Sequence, residues 1–174
     1  DFSPKPLMHE SGNGLHINVS VKSESGKDLT DSFMAGVLDH IVEMTAFLNP
    51  VKESYKRLGE KKAPKYVTWS PENRSQLIRI PAVKSEANRR IELRSPDPCA
   101  NPYIAYALII YAGLDGIKRG LVPEEPNNAD LFTAENDVTD GLVSLPDTVE
   151  KAKSIALHSE FIKEVLPLGY TENI

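Results

Sequence analysis

The chain has 174 residues, enough for one domain with a sizeable core, and its 40% hydrophobic and 26% charged content is ordinary for a globular protein. A net charge of −5 and an isoelectric point near 5.4 exclude a general nucleic-acid binder. Cys99 is the one cysteine, which excludes an internal disulfide and a cysteine-based zinc site and suits a reducing, cytoplasmic setting.

The opening residues include Pro4, Lys5, Pro6, His9 and Glu10, which do not form a secretory signal. Because the chain begins at Asp1 rather than at a methionine, it is expected to be a piece of a longer protein. The loop signal Ser11-Gly12-Asn13-Gly14 precedes LHINVSV, residues 15–21, which alternates strictly. Leu15, Ile17, Val19 and Val21 share one strand face, and His16, Asn18 and Ser20 the other. Helical spacing of Phe33, Val37, Leu38, Ile41, Val42, Met44 and Phe47 predicts a helix over 32–48, capped by Thr30 or Asp31 and stopped by Asn49-Pro50.

Residues 50–64 read as an irregular basic loop. Strand-like segments at 65–69 and 76–80 follow, joined by the polar turn SPENRS. RRIELR, residues 89–94, alternates again. The turn SPDPCANP leads to an apolar helix from Pro102 to about Arg119, with Asn101 as cap, Pro102 in the first turn and Gly120 at the end. Its apolar run, Tyr103 to Leu114, is too short to span a bilayer, so no membrane partner is expected. A polar loop over 121–144 and two short helices near 147–157 and 160–166 complete a single α+β unit, with antiparallel sheet strands packed against helices.

Chemistry concentrates in three places. Period-2 geometry puts Arg90, Glu92 and Arg94 on one strand face, roughly 7 Å between successive members. Such a triplet is either a solvated charge ladder or a cation-holding carboxylate flanked by arginines that grip phosphate or carboxylate oxygens. His16 shares its face with Asn18 and Ser20 behind a glycine loop that permits close approach of a ligand; as a lone strand histidine it fits a structural hydrogen bond as well as a metal. Arg57, Arg74 and Arg79 add positive charge without an equal number of nearby acids. His9, His40 and His158 have no comparable context and read as structural or surface residues. No P-loop, dinucleotide fingerprint, CxxC pair or serine-nucleophile elbow is present. Residue chemistry alone reaches a joint cation and anion site in an α+β domain.

Four ordered segments, SGNGLHINVS, NPVKESYKRLG, WSPENRSQLIRIP and RRIELRSPDPCANPYIA, resemble the glutamine synthetases, bacterial type, in order and spacing. The resemblance implies that residues 1–174 are the C-terminal portion of the catalytic domain, without the N-terminal domain or the first part of the catalytic domain and the family's other metal-binding glutamates, and inactive in isolation. It implies ATP-dependent ligation of ammonia to glutamate through a γ-glutamyl phosphate, with Mg2+ or Mn2+ bridging phosphate oxygens. By position, His16 and Glu92 are implied as metal ligands. Gly12, His16, Arg57, Arg74, Arg79 and Arg94 are implied glutamate or transferred-phosphate contacts, with Arg74 and Arg94 catalytic. Ser20, Arg79 and Arg90 are implied on the nucleotide.

The family also implies a homo-oligomeric ring for the parent protein. The chain departs from the family at Ser11, at Asn18 (often histidine), at Phe132 (a modified tyrosine in regulated bacterial members) and at Lys62, which replaces a glutamate that helps to bind ammonium. Lys62 leaves two alternatives beside the synthetase: a related γ-glutamyl ligase that uses an amine, and a non-catalytic scaffold of the same fold.

Overall fold

The computed structural model describes residues 1–60 and 62–171. Four three-residue strands form the sheet: β1, Ile17–Val19; β2, Trp69–Pro71; β3, Ile78–Ile80; and β4, Ile91–Leu93. Two long helices, α1 (Thr30–Leu48) and α2 (Pro102–Arg119), carry most of the core. The short α3 (Asn136–Thr139), α4 (Val149–His158), α5 (Glu160–Val165) and α6 (Leu168–Thr171) follow. The α+β class read from sequence is the class observed.

The sheet order is β1-β4-β3-β2. β4 pairs antiparallel with both β1 and β3, as expected, but β2 and β3 run parallel, so the sheet is mixed rather than wholly antiparallel. The cause lies in the connection. Glu72 adopts a left-handed φ of 64°, and Asn73 Oδ1 accepts hydrogen bonds from Ser75 N and Oγ, so residues 72–77 double back instead of making a hairpin. The extended stretch before β2 also found a different partner: Val67 N donates to Val143 O at 2.8 Å and Leu145 N to Lys65 O at 2.7 Å. The first strand expected at 65–69 thus binds the long returning loop, and only its end joins the sheet.

α1 begins two residues earlier than its apolar spacing predicts. Neither Thr30 nor Asp31 caps it; Leu29 occupies the cap position, and Asp28 Oδ1 accepts from Thr30 N at 2.8 Å. The supposedly irregular 50–64 loop opens with a 3-10 helix, Lys52–Lys56. α2 has the termini its sequence specifies: Asn101 accepts from Tyr103 N, Pro102 sits in the first turn, and Gly120 closes the helix at φ 66°.

Met34, Ile41, Met44 and Leu48 of α1 and Leu108 and Ile109 of α2 are fully buried with Ile78, Ile91 and Leu93 of the sheet. Each such side chain contributes about 1.5–3 kcal/mol through burial. The two long helices touch backbone to backbone where Gly36 faces Gly116, since a Cβ on either would collide with the other helix. The opposite face of α2 exposes Tyr103, Tyr106, Ile110, Tyr111 and Leu114. No described helix is long and apolar enough to cross a membrane.

Candidate active site

The sheet register assembles a polar row on the face opposite the core. Asn18 of β1 stands beside Glu92 of β4, Glu92 beside Arg79 of β3, and Arg79 beside Ser70 of β2. Directly opposed residues share a face, so four segments distant in sequence meet around one carboxylate. Glu92 is buried, and its two oxygens have different company. Oε2 accepts from Arg79 Nε at 2.6 Å and from Arg94 Nη1 at 3.1 Å. Oε1 faces His16 Nδ1 at 3.3 Å. Burial pushes the Glu92 carboxyl up, but the Arg79 hydrogen bond and the charges of both arginines outweigh it and hold the group ionised below its ordinary range.

His16 lies just before β1, with a side chain about one-third exposed. Burial, then the charge of Arg94, lowers its pKa against the opposing pull of Glu92, so the imidazole is neutral at pH 7. A neutral imidazole nitrogen and a carboxylate oxygen 3.3 Å apart suit one divalent cation, whose adjacent octahedral ligands are roughly 3 Å apart. The donor set fits a hard or borderline metal, although two protein ligands fill only part of its sphere.

Arg94 is clamped from several directions. Besides Glu92, its Nε donates to Arg74 O at 3.1 Å and its Nη2 to Lys62 O at 3.4 Å. Arg57 is buried beneath the glycine loop, where its Nη1 reaches Ser95 O at 2.7 Å and its Nη2 reaches Arg94 O at 3.2 Å. Burial lowers its pKa to about 10, so it remains a cation. Gly12 and Gly14 are glycines for a steric reason. A Cβ at Gly12 would collide with Pro4 O, and one at Gly14 would lie 2.7 Å from Arg57 Nη2 and 2.9 Å from His16 Nε2.

Of the residues singled out from sequence, His16, Arg79, Glu92 and Arg94 make one contiguous cluster, with Arg57 and Gly12 beneath and beside it. Arg74 reaches it through its carbonyl, while its side chain is exposed on the 72–77 turn. Arg90 points its Nε to Asn18 Oδ1 at 3.1 Å, and exposed Ser20 follows β1 as Arg90 precedes β4. These two sit one step along the strands from Glu92. Lys62 is exposed on a turn with φ 66°.

Sequence reading missed Asn49 and Asp97, both buried behind the arginines. Asn49 read only as a helix stop and Asp97 only as a turn residue. It also missed the charge cluster around His40, in which Asp39, His40 and Asp115 converge between α1 and α2, away from the sheet face; Arg119 already bridges both aspartates.

A carboxylate shared between a histidine and a pair of arginines thus lies on a mixed sheet backed by two long helices, an arrangement whose chemistry suits a cation beside an oxyanion. Residues 1–173 match the family profile of the glutamine synthetase catalytic domain, and the chain belongs to that family. It is 42% identical to glutamine synthetase of Methanosarcina mazei and 41% identical to that of Staphylococcus aureus, with 95% of this chain aligned in each case. It spans 40% of the length of those relatives. A solved structure described as "GmaS/ADP complex-Conformation 1" superposes with a TM-score of 0.82 at 30% identity, over 97% of this chain and 42% of that one.

Proposed function

We propose that this chain supplies part of the active site of a glutamine synthetase, a cytoplasmic ligase that joins ammonia to the γ-carboxylate of glutamate with conversion of ATP to ADP and phosphate. The observation that carries the reading is the division of labour at Glu92. Two arginines fix one oxygen while the other is presented beside His16.

His16 and Glu92 would hold Mg2+ or Mn2+; such a cation supplies charge neutralisation and polarisation of the transferred phosphoryl group. Arg79 and Arg94 direct guanidinium groups to the same place, where they stabilise the equatorial oxygens of that group and then the leaving phosphate. Arg74, on the neighbouring turn with an exposed side chain, would contact that group from outside the sheet. Gly12, with Arg57 beneath it, shapes the glutamate side of the site. Ser20 and Arg90, at the far end of β1 and β4, face the nucleotide. Ammonia remains the acceptor, because Lys62 lies on an exposed turn and Glu60 stands two residues before it. The small number of metal ligands here means that turnover needs groups from outside these residues, and we expect none from the 174-residue chain alone.

Titration of Mn2+ followed by electron paramagnetic resonance tests the core of this reading. Wild-type chain should bind Mn2+, and His16→Ala or Glu92→Gln should each weaken binding at least about tenfold. In the polypeptide as it occurs naturally, phosphate release should require both glutamate and ammonium. Unchanged Mn2+ affinity in both variants would retire the ligand assignment.

A further inference from the structure

Behind the arginines lies a buried polar knot that none of these roles uses. Asn49, at the end of α1, and Asp97, in the turn after β4, are both wholly buried. Asn49 Nδ2 donates to Ser95 O at 2.9 Å and to Asp97 Oδ2 at 3.0 Å. Asp97 Oδ1 accepts from Cys99 N at 3.0 Å, and Asp97 N donates to Leu48 O at 3.2 Å. A dehydrated carboxylate needs a counter-charge as well as donors. Arg57, linked to Asp97 through Asn49 and the Ser95 carbonyl, is a buried cation whose charged form the Asp97 carboxylate favours against the effect of burial.

The pair is joined through a shared acceptor. Ser95 O receives both Asn49 Nδ2 at 2.9 Å and Arg57 Nη1 at 2.7 Å. Arg57 Nη2 continues to Arg94 O, and Leu15 N, leading out of the glycine loop, donates to Pro96 O at 2.8 Å. The turn at residues 94–97 is therefore tied at once to α1, to Arg57 and to the strand that carries His16. Among the described residues Asn49 Oδ1 and Ser95 Oγ are buried without a partner, so the knot does not satisfy all of its own polar atoms.

We propose that Asn49 and Asp97 are positioning residues for the glutamate side of the site. They fix Arg57 and the Arg94 main chain, and through these the glycine loop. The proposal rests on the ligase reading above, and its test separates the two. In the naturally occurring polypeptide, Asp97→Asn should raise the glutamate KM about tenfold and leave the ATP KM within about twofold. If a folded Asp97→Asn protein keeps the wild-type glutamate KM, or if both KM values rise together with a lower Tm, the positioning role is overturned.

Absence of glutamate-dependent phosphate release in the wild type would sink the ligase reading instead. A nuclear magnetic resonance measurement then decides the structural claim by itself. Arg57 guanidinium protons should exchange slowly in the wild type and quickly in Asp97→Asn, or in Asn49→Ser should the first variant not fold. Freely exchanging Arg57 protons in the wild type would overturn the proposal without any variant.

Discussion

Glu92 shows how much a single side chain can be asked to carry. It is the shared anion for Arg79 and Arg94, whose side chains are 18% and 4% exposed, and the neighbour of His16. Removing the carboxylate leaves two guanidiniums facing each other in a poorly hydrated place. Glu92→Ala should therefore destabilise the chain by about 3 kcal/mol, the lower end for breaking a buried pair because Arg79 keeps some water. A solvated charge ladder would lose less than about 1 kcal/mol. Urea denaturation distinguishes these outcomes, and a loss in the smaller range would return Glu92 to the surface-ladder reading.

At this scale the sequence was informative wherever period-2 alternation decides which way a side chain points. His16 and Glu92 were legible for that reason. It named Arg57 but could not place it, because Arg57 follows the 3-10 helix in a segment without periodicity, and it missed Asp97, whose burial comes from the distant end of α1.

Among the elements, α1 and α2 are joined by more than apolar contact. His40 Nδ1 lies 2.7 Å from Glu43 Oε2, its Nε2 lies 3.0 Å from Asp115 Oδ2, and its ring stacks on Phe161 of α5 at 4.0 Å. Asp39 on α1 and Arg119 on α2 complete the charges facing it. Burial lowers the His40 pKa, but the hydrogen bonds that its ring donates to Asp115 and Glu43 and the charges of Glu43 and Asp39 prevail, and the net displacement is upward from 6.5. A raised folded-state value means that the charged ring stabilises the fold fully below the ordinary imidazole range. That contribution is lost as pH rises through the folded-state value. Tm should fall as pH is raised from about 6 to about 8, and His40→Gln should flatten that slope. An unchanged slope in the variant would show that another group sets it.

The long helices were legible in the sequence because their apolar spacing agrees with their stop signals, and in α2 with its Asn101-Pro102 start as well. The strands were less so. Segment 65–69 has strand character, but only the fold reveals that it pairs with residues 143–145, and nothing local announces the parallel β2–β3 pairing.

For the molecule as a whole, sheet order and chain order disagree. β1 comes first in the chain yet, among the described strands, pairs only with β4, and 78 residues separate His16 from Arg94. During synthesis the histidine thus leaves the ribosome long before its partners exist, and α1, β2 and β3 must emerge in between. Closing so long a loop costs entropy that is recovered only once the strands meet, which slows folding. The candidate ligand pair should accordingly be completed late, after the long helices have formed. In stopped-flow refolding, helical circular dichroism should recover before the capacity to bind Mn2+. If the two signals return with one rate constant, the strand that carries the histidine has docked together with the rest, and the site is not the last part of the chain to find its shape.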